Sequence, residues 1–435
     1  MSKVNLNTSK SNQFRKAGQV RAMRKAFNLV RKRQKANVRR ISDLEGRKKR
    51  LRRARKYAVG NEDLLSQAVR NLRQNGIKVY LPRSLEEAIS MAVSEIGDDK
   101  LVVKSKSNLT KEIGLTSALE EIGINVVETD IGDRILQLCG DLPSHPTGPA
   151  SHLTKHDISE ILSLHFKRRV EPSPEMIVEL LRGDISDYIN ASKIGITGAN
   201  AIAAEEGAVL LVHNEGNIIE VATRPEKHII LAGIDKIYRN IEEAINMLKL
   251  QTYYATGSLA SSFINIVSGP SQTADIEKQL IRGVHGPKEL YLILVDNHRR
   301  DIARSEYRDL LYCIGCGQCL LVCPAYAIYG REFSADGHLG GRGLVYCALN
   351  DKYSVEGSKG LYRCLSCRKC QKNCPVGIDI PSMIVKLRLE KHERALNPRL
   401  QTTYDFLAAH IEWIGTGLWI EALGLAQKLL PKTDK

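Results

Sequence analysis

Cys313-Ile314-Gly315-Cys316-Gly317-Gln318-Cys319-Leu320-Leu321-Val322-Cys323-Pro324 and Cys364-Leu365-Ser366-Cys367-Arg368-Lys369-Cys370-Gln371-Lys372-Asn373-Cys374-Pro375 repeat one spacing, C-x2-C-x2-C-x3-C-P. Two full copies in one chain are poorly explained by chance. A [4Fe–4S] cube needs four thiolates at its corners. Three closely spaced cysteines on one turning loop reach three irons, and the fourth must come from elsewhere. In two-cluster ferredoxins the last cysteine of each run serves the other cluster. Carried onto these positions, the pattern gives Cys313, Cys316, Cys319 and Cys374 to one cluster and Cys364, Cys367, Cys370 and Cys323 to the other. The spacing therefore predicts two [4Fe–4S] clusters in a ferredoxin-like domain, forming a short wire for single electrons. Structural zinc sites also use Cys-x2-Cys, but their pairs are separated by longer loops and do not need four cysteines in one eleven-residue run. Cys139 and Cys347 lie outside both motifs and read as buried thiols, Cys347 with some scope as a spare ligand.

Outward from the cysteines, the rest of the 435-residue chain is long enough for two to four domains. The formal charge of +15 is local. Residues 1–60 hold 21 Lys and Arg against Asp43 and Glu45, a balance of +19 that leaves −4 for everything after residue 60. Polyanion binding, if any, belongs to that arm. Within it Val20, Met23, Phe27 and Val30 recur at intervals of three and four, so a basic helix or helical hairpin packed through an apolar stripe is expected, and a nucleic-acid partner is not. Met1–Gln13 has no apolar segment of a secretory signal, and no run of about 18 apolar residues suggests a membrane span. A reducing cytoplasm is the simplest compartment for so many closely spaced thiols.

From about residue 75 short β-branched runs alternate with amphipathic segments. Strands are expected at Ile77–Leu81, Leu101–Val103, Val126–Glu128, Val209–Val212, Ile229–Ala232, Ile264–Val267 and Leu290–Val295. Helices are expected at Ser84–Ile96, with a Ser84/Glu87 capping box, from Thr154, and over Asn240–Leu250. Alternation of this kind predicts an α/β domain with a mostly parallel sheet covered on both faces, ending near Asp296. After Pro398, the stretch Tyr404–Leu430 with Trp413 and Trp419 reads as a docking helix for this chain or a partner. The expected divisions are a basic helical arm (1–74), the α/β domain (75–300), an α-helical two-[4Fe–4S] ferredoxin-like domain (301–395) and a helical tail (396–435).

Two glycine-bearing segments of the α/β domain are candidates for chemistry. Gly195–Asn200 leads through Glu205 and Glu206 into the strand Val209–Val212, which exits at Asn214-Glu215-Gly216-Asn217. Ser268-Gly269-Pro270-Ser271 is expected to open a helix through Thr273, Asp275 and Glu277, followed by Gly283-Val284-His285-Gly286-Pro287. A helix start there would offer free N–H groups to an anion near Ser268, Gly269 and Ser271; the bland reading is a tight capped turn. Glu215 and His285 are the catalytic candidates, each equally readable as a solvated loop residue. No G-x-G-x-x-G, Walker A or H-E-x-x-H sequence is present.

Together these residues resemble the iron–sulfur subunit of bacterial lactate-utilisation (Lut) complexes, whose α/β part is called the LUD domain. The resemblance rests on Val103–Ser107 with Thr110–Gly114, Glu128-Thr129-Asp130, Pro143-Ser144-His145, Gly195–Asn200, Asn214–Asn217, the Gly-Pro-Ser and Gly-Val-His-Gly-Pro segments, and both cysteine motifs with Ile378–Pro381. It implies a fold like that of the NagB, ribose-isomerase and CoA-transferase group. It also implies a part in oxidising L-lactate to pyruvate without implying which subunit does the chemistry; the two clusters make a non-catalytic electron-transfer subunit the first reading. The implied partners are a cysteine-rich heterodisulfide-reductase-like subunit and a second LUD subunit. The alternatives are a LUD-domain oxidoreductase acting on another small anionic substrate, or an electron-transfer subunit of a heterodisulfide-reductase-like complex.

Overall fold

The computed structural model describes residues 11–335, 337–350 and 360–391; the expected helix Tyr404–Leu430 lies outside the described residues. The strands of the α/β domain are β1 (Lys78–Tyr80), β2 (Leu101–Lys104), β3 (Asn125–Glu128), β4 (Ile194–Gly198), β5 (Ala201–Ala203), β6 (Ala208–His213), β7 (Lys227–Gly233), β8 (Ile237–Tyr238), β9 (Phe263–Val267), β10 (Gln272–Thr273), β11 (Ile281–Arg282) and β12 (Glu289–Val295). Six form a sheet in the order β1-β12-β7-β4-β2-β3, with every neighbouring pair parallel.

Both faces of that sheet are covered, and β12 shows why its sequence is a continuous apolar run. Side chains alternate along a strand. Leu290, Leu292 and Leu294 pack with Leu64, Leu65, Ala68 and Leu72 of the helix Glu62–Gln74. Tyr291, Ile293 and Val295 turn the other way, to Ala88, Ala92 and Ile96 of the helix Leu85–Ile96. Each fully buried aliphatic side chain of this kind contributes about 1.5–3 kcal/mol.

The helix Leu85–Ile96 begins as expected, with Ser84 Oγ accepting from the Glu87 N–H at 3.1 Å, but Glu87 accepts from the N–H of Arg83 rather than that of Ser84. The helix Lys155–Phe166 carries the full reciprocal box between Thr154 and Asp157. The helix Ile241–Thr256 is capped by Asn240, whose Oδ1 accepts from the Glu243 N–H at 3.1 Å.

Two expectations are corrected. The runs at Val209 and Ile264 are strands, but they lie outside the parallel sheet: β8, β5, β6 and β9 form a second, mixed sheet in which β6 is antiparallel to both neighbours. Gly195–Asn200 is mostly strand β4 of the parallel sheet. Gly195 is needed there for close approach, since a Cβ would come 2.0 Å from the Val221 carbonyl oxygen. The segment after Ser268 opens no helix. It forms the antiparallel pair β10/β11, with Glu277 and Lys278 both at positive φ, which a right-handed helix cannot absorb.

The basic arm folds into the helices Ser11–Asn37 and Leu44–Ala58. Met23 and Phe27 are buried, with Val20 and Val30 partly so. Their partners include residues of the cysteine-rich region: Phe27 stacks on Tyr326 with ring centroids 6.3 Å apart. Fully buried Arg55 donates to the Leu311 carbonyl at 2.6 Å. Arg308 in turn donates to the Val59 carbonyl at 2.6 Å.

Candidate functional site: the cysteine loops at the strand ends

The two cysteine loops are built alike. In the first, Cys313 follows the 3-10 turn Arg308–Tyr312, Cys319 lies on the one-turn helix Gln318–Leu321, and Cys323 caps the helix Pro324–Tyr329. In the second, Cys370 lies on the matching one-turn helix Lys369–Lys372. Positive φ occurs two and four residues after the first cysteine in both: Gly315 and Gly317 at 70°, Ser366 at 49° and Arg368 at 56°. Those left-handed residues curl each loop so that its thiols face inward, and only the first loop uses glycine for it. Backbone N–H groups meet the sulfurs: Gly315 donates to Cys313 Sγ and Tyr326 to Cys323 Sγ, each at 3.4 Å.

Thiols of one loop act on thiols of the other, in one group around Cys316 and another around Cys323. Burial pushes the Cys316 thiol far up, and Cys374, Cys313 and Cys319 add to the rise. Burial likewise pushes Cys323 up to about 12, where its thiol neighbours are Cys364 and Cys367. Cys370 stands between the groups, raised by burial and by Cys319, Cys364, Cys323 and Cys367. Crowded, dehydrated thiols resist ionisation because each thiolate repels the next, so a multiply positive centre is what would hold them as thiolates. A small cavity is lined by Cys323, Cys364, Cys367 and Cys370, with Cys319 and Arg342 on its wall. Four thiol donors round one volume, with amides aimed at sulfur, fit an iron–sulfur cube. Among the described residues no three His, Cys, Asp or Glu side chains close on a single-ion position. Cys139 and Cys347 stand apart from both groups, Cys347 Sγ donating to the Ala335 carbonyl at 3.3 Å.

The first cysteine loop is seated on the carboxyl ends of the parallel strands, where open α/β sheets place their ligands. Asn200, just beyond β4, donates to Gln251 Oε1 at 2.9 Å, and Gln251 donates to the Ile314 carbonyl. Beyond β7 and β12, Asp235 and Glu112 share the buried Arg299 guanidinium at 2.7 and 2.9 Å, and Tyr346 from the cysteine domain donates to Glu112 at 2.8 Å. Burial opposes ionisation of Glu112, but the facing Arg299 more than offsets it and holds the carboxyl at about 2. His145 packs on Gly317, where a Cβ would come 2.3 Å from its Nε2. Burial lowers the His145 pKa to about 4, so the ring is neutral at pH 7. Tyr326 donates to the Ser144 carbonyl at 2.6 Å.

Glu215 is exposed overall, with its carboxyl end turned to the ends of β2 and β3. Oε2 accepts from the Ile131 N–H at 3.4 Å, and loss of solvent and the nearby Asp130 charge raise its pKa. Lys106, paired with Asp130 at 2.5 Å, lies in the same group. The remaining candidates are not brought here. His285 is exposed on the β10/β11 excursion, its N–H donating to Ser271 Oγ at 3.2 Å. Ser271 N–H donates to the Pro287 carbonyl at 3.2 Å, and with no helix following, the premise for an anion site at Ser268, Gly269 and Ser271 is gone. Sequence reasoning missed Arg342 and Gln251, whose roles are set by partners far away in the chain. His145 and Lys106 carried a faint signal, inside segments already singled out.

The chain matches the family described as LUD domain over residues 65–295 and that described as 4Fe-4S dicluster domain over residues 309–378. It is 33% identical over 387 residues to the "Uncharacterized electron transport protein YkgF" of Escherichia coli (strain K12), covering 87% of this chain and 79% of that one. It is 34% identical over 349 residues to the "Lactate utilization protein B" of Bacillus subtilis (strain 168), covering 78% and 71%. The protein of that name from Geobacillus kaustophilus (strain HTA426) is 35% identical over 343 residues, covering 77% and 69%. A solved DUF162 family structure from Deinococcus radiodurans covers 54% of this chain at 14% identity with a TM-score of 0.31, too low to bear on the fold. Among the described residues no helix is long and apolar enough to cross a membrane.

Proposed function

This chain belongs to the LUD-domain family and carries a 4Fe-4S dicluster domain behind it, and on that premise we propose that it is the electron-transfer subunit of a complex oxidising L-lactate to pyruvate. One [4Fe–4S] cluster would be held by Cys313, Cys316, Cys319 and Cys374, and the other by Cys364, Cys367, Cys370 and Cys323. The observation that carries this reading is a hollow between the loops that Cys323 of the first shares with Cys364, Cys367 and Cys370 of the second. Each cluster when bound supplies one-electron chemistry. The chain's own part is to bury the thiols, aim amides at sulfur and lock the loops to the sheet through Arg299, Gln251 and His145. Oxidation of a 2-hydroxy acid to a 2-oxo acid releases two electrons and two protons, a number that two one-electron carriers match.

The complex would include a cysteine-rich heterodisulfide-reductase-like subunit and a second LUD subunit. Anaerobic co-purification tests it: about eight irons and eight sulfides per chain are expected, with those two partners attached and the bound iron reduced when L-lactate is added. Colourless, iron-free protein overturns the cluster assignment; iron-loaded protein that L-lactate leaves oxidised, partners included, overturns the substrate.

A second reading, a LUD domain acting on its own small anionic substrate, draws support from Lys106 and Glu215 at the strand ends. The local field is unfavourable to an anion, because Lys104, Lys106 and Lys111 are each paired with Glu128, Asp130 and Asp133, and Glu215 is left in excess.

A further inference from the structure

The concentrated positive charge of the arm is explained neither by its packing nor by cluster binding. Its buried face consists of Met23, Phe27, Leu51 and Ala54, together with Gln34 and Arg55. Gln34 holds the first cysteine loop, donating to Gln318 Oε1 at 2.7 Å, and Arg55 is spent inside. What faces outward on the helix Leu44–Ala58 is one stripe at helical spacing, Lys49, Arg52, Arg53 and Lys56, all exposed. The two acids of the region are already taken: Asp43 pairs with Arg50 at 3.0 Å and Glu45 with Lys48 at 2.8 Å. The stripe itself is in no ion pair among the described residues.

Its position is the informative part. A Cβ on Gly377 would come 3.3 Å from Arg52 Nη2, and the Gly377 N–H donates to the Cys374 carbonyl. The stripe therefore borders the loop that ends in Cys374, which like Cys313 and Cys319 is partly exposed, whereas Cys316 is buried. Arg368 and Lys372, both exposed on the second cysteine loop, extend the same sign of charge across the neighbouring surface.

Resting on the cluster assignment above, we propose that this basic surface is the docking site for an acidic redox protein, which it steers to the Cys313/Cys374 edge of the first cluster. Complementary charge raises encounter rates by roughly 10- to 1,000-fold at low salt and fades once the screening length falls below about 10 Å. Nucleic acid or a lipid surface would use the same charge, but neither accounts for the stripe lying against the turn that follows Cys374.

Native and succinylated cytochrome c test this, being one redox protein in a basic and an acidic form. The full chain, purified without oxygen and reduced, is mixed with each in a stopped-flow instrument. Haem reduction of the succinylated form is expected to be roughly tenfold or more faster at ~0.01 M salt, with the gap closing by ~0.2 M. The triple variant Lys49→Glu/Arg52→Glu/Arg53→Glu should lose or reverse that preference. A control pair on exposed residues elsewhere, Arg168→Glu/Arg169→Glu, should keep it. Iron content and circular dichroism establish that each variant is folded and loaded. Should the triple variant lose iron, the neutral pair Lys49→Gln/Arg53→Gln is read in its place. Equal rates with the two cytochromes, or an unchanged ratio in the loaded variants, overturn the proposal. So does duplex DNA or phosphatidylglycerol vesicles binding the stripe in the absence of any cytochrome preference. Failure of the cluster assignment looks different: protein without iron reduces neither cytochrome.

Discussion

The strand Glu289–Val295 and the loop Cys313–Cys323 are close in sequence, yet they are held by opposite means. The strand hydrogen-bonds on both edges and sends alternate side chains into two apolar cores. The loop has one-turn helices, left-handed residues and buried thiols whose ionised form burial disfavours. One region is stabilised by what it excludes, water, and the other by what it must admit, a positive centre. They are joined by a buried ionic knot, Glu112–Arg299–Asp235, on which Tyr346 closes from the cysteine side.

The largest effect that would break this comparison is removal of iron. Stripped anaerobically with a chelator, the chain should lose amide protection over residues 309–391 while β7 and β12 stay protected in hydrogen exchange. Cysteine loops still protected without iron would show that they are held as the sheet is. Next in size is Cys370→Ala, which should lower the iron content from about eight to about four per chain and leave the sheet's unfolding transition in place. The knot comes third. Glu112→Ala leaves Arg299 with Asp235 alone and should cost about 3 kcal/mol in urea unfolding.

The pH dependence of that carboxylate has a definite sign. Its folded pKa lies at about 2 against an ordinary 4.5, so its contribution is complete above pH 4.5 and is lost as pH falls through 2. Glu112→Gln should remove that acid limb from a stability-versus-pH curve. The smallest effect belongs to Arg342, which stacks on Tyr346 at 4.8 Å and whose charge acts on Cys319 and Cys313. A fixed positive charge favours the added electron. Arg342→Gln should therefore shift the midpoint potentials in the negative direction in an EPR-monitored titration, and Arg342→Lys should restore most of the shift.

What could be read from the sequence was whatever is decided locally. The apolar run of β12, the Ser84 cap and the repeated cysteine spacing each carry their meaning within a dozen residues. Strand β4 was hidden because Gly195 and Gly198 suggest a loop, whereas their real service is to let Val221 and Ser107 come near. The excursion after Ser268 misled in the other direction, a Gly-Pro-Ser start with helix-friendly residues behind it turning into a β-hairpin. Exchange of thiols between the loops could be argued from the ferredoxin spacing. The seating of the first loop on the strand ends could not, since Gln251–Ile314 and His145–Gly317 are contacts between residues 63 and 172 positions apart.

The arm's grip on the far end of the chain bears on how the protein emerges from the ribosome. Arg55 finds the Leu311 carbonyl and Phe27 finds Tyr326 only after more than 250 further residues have been made. At roughly 5–20 residues per second, the basic hairpin spends some tens of seconds without these two contacts. The sheet, closed by β12 pairing with β1, can be complete before the first cysteine loop leaves the exit tunnel. Iron therefore arrives at a scaffold already standing, and a nascent chain stalled before residue 313 would keep the arm's contacts to Tyr253 and Tyr254 while lacking those to the cysteine domain.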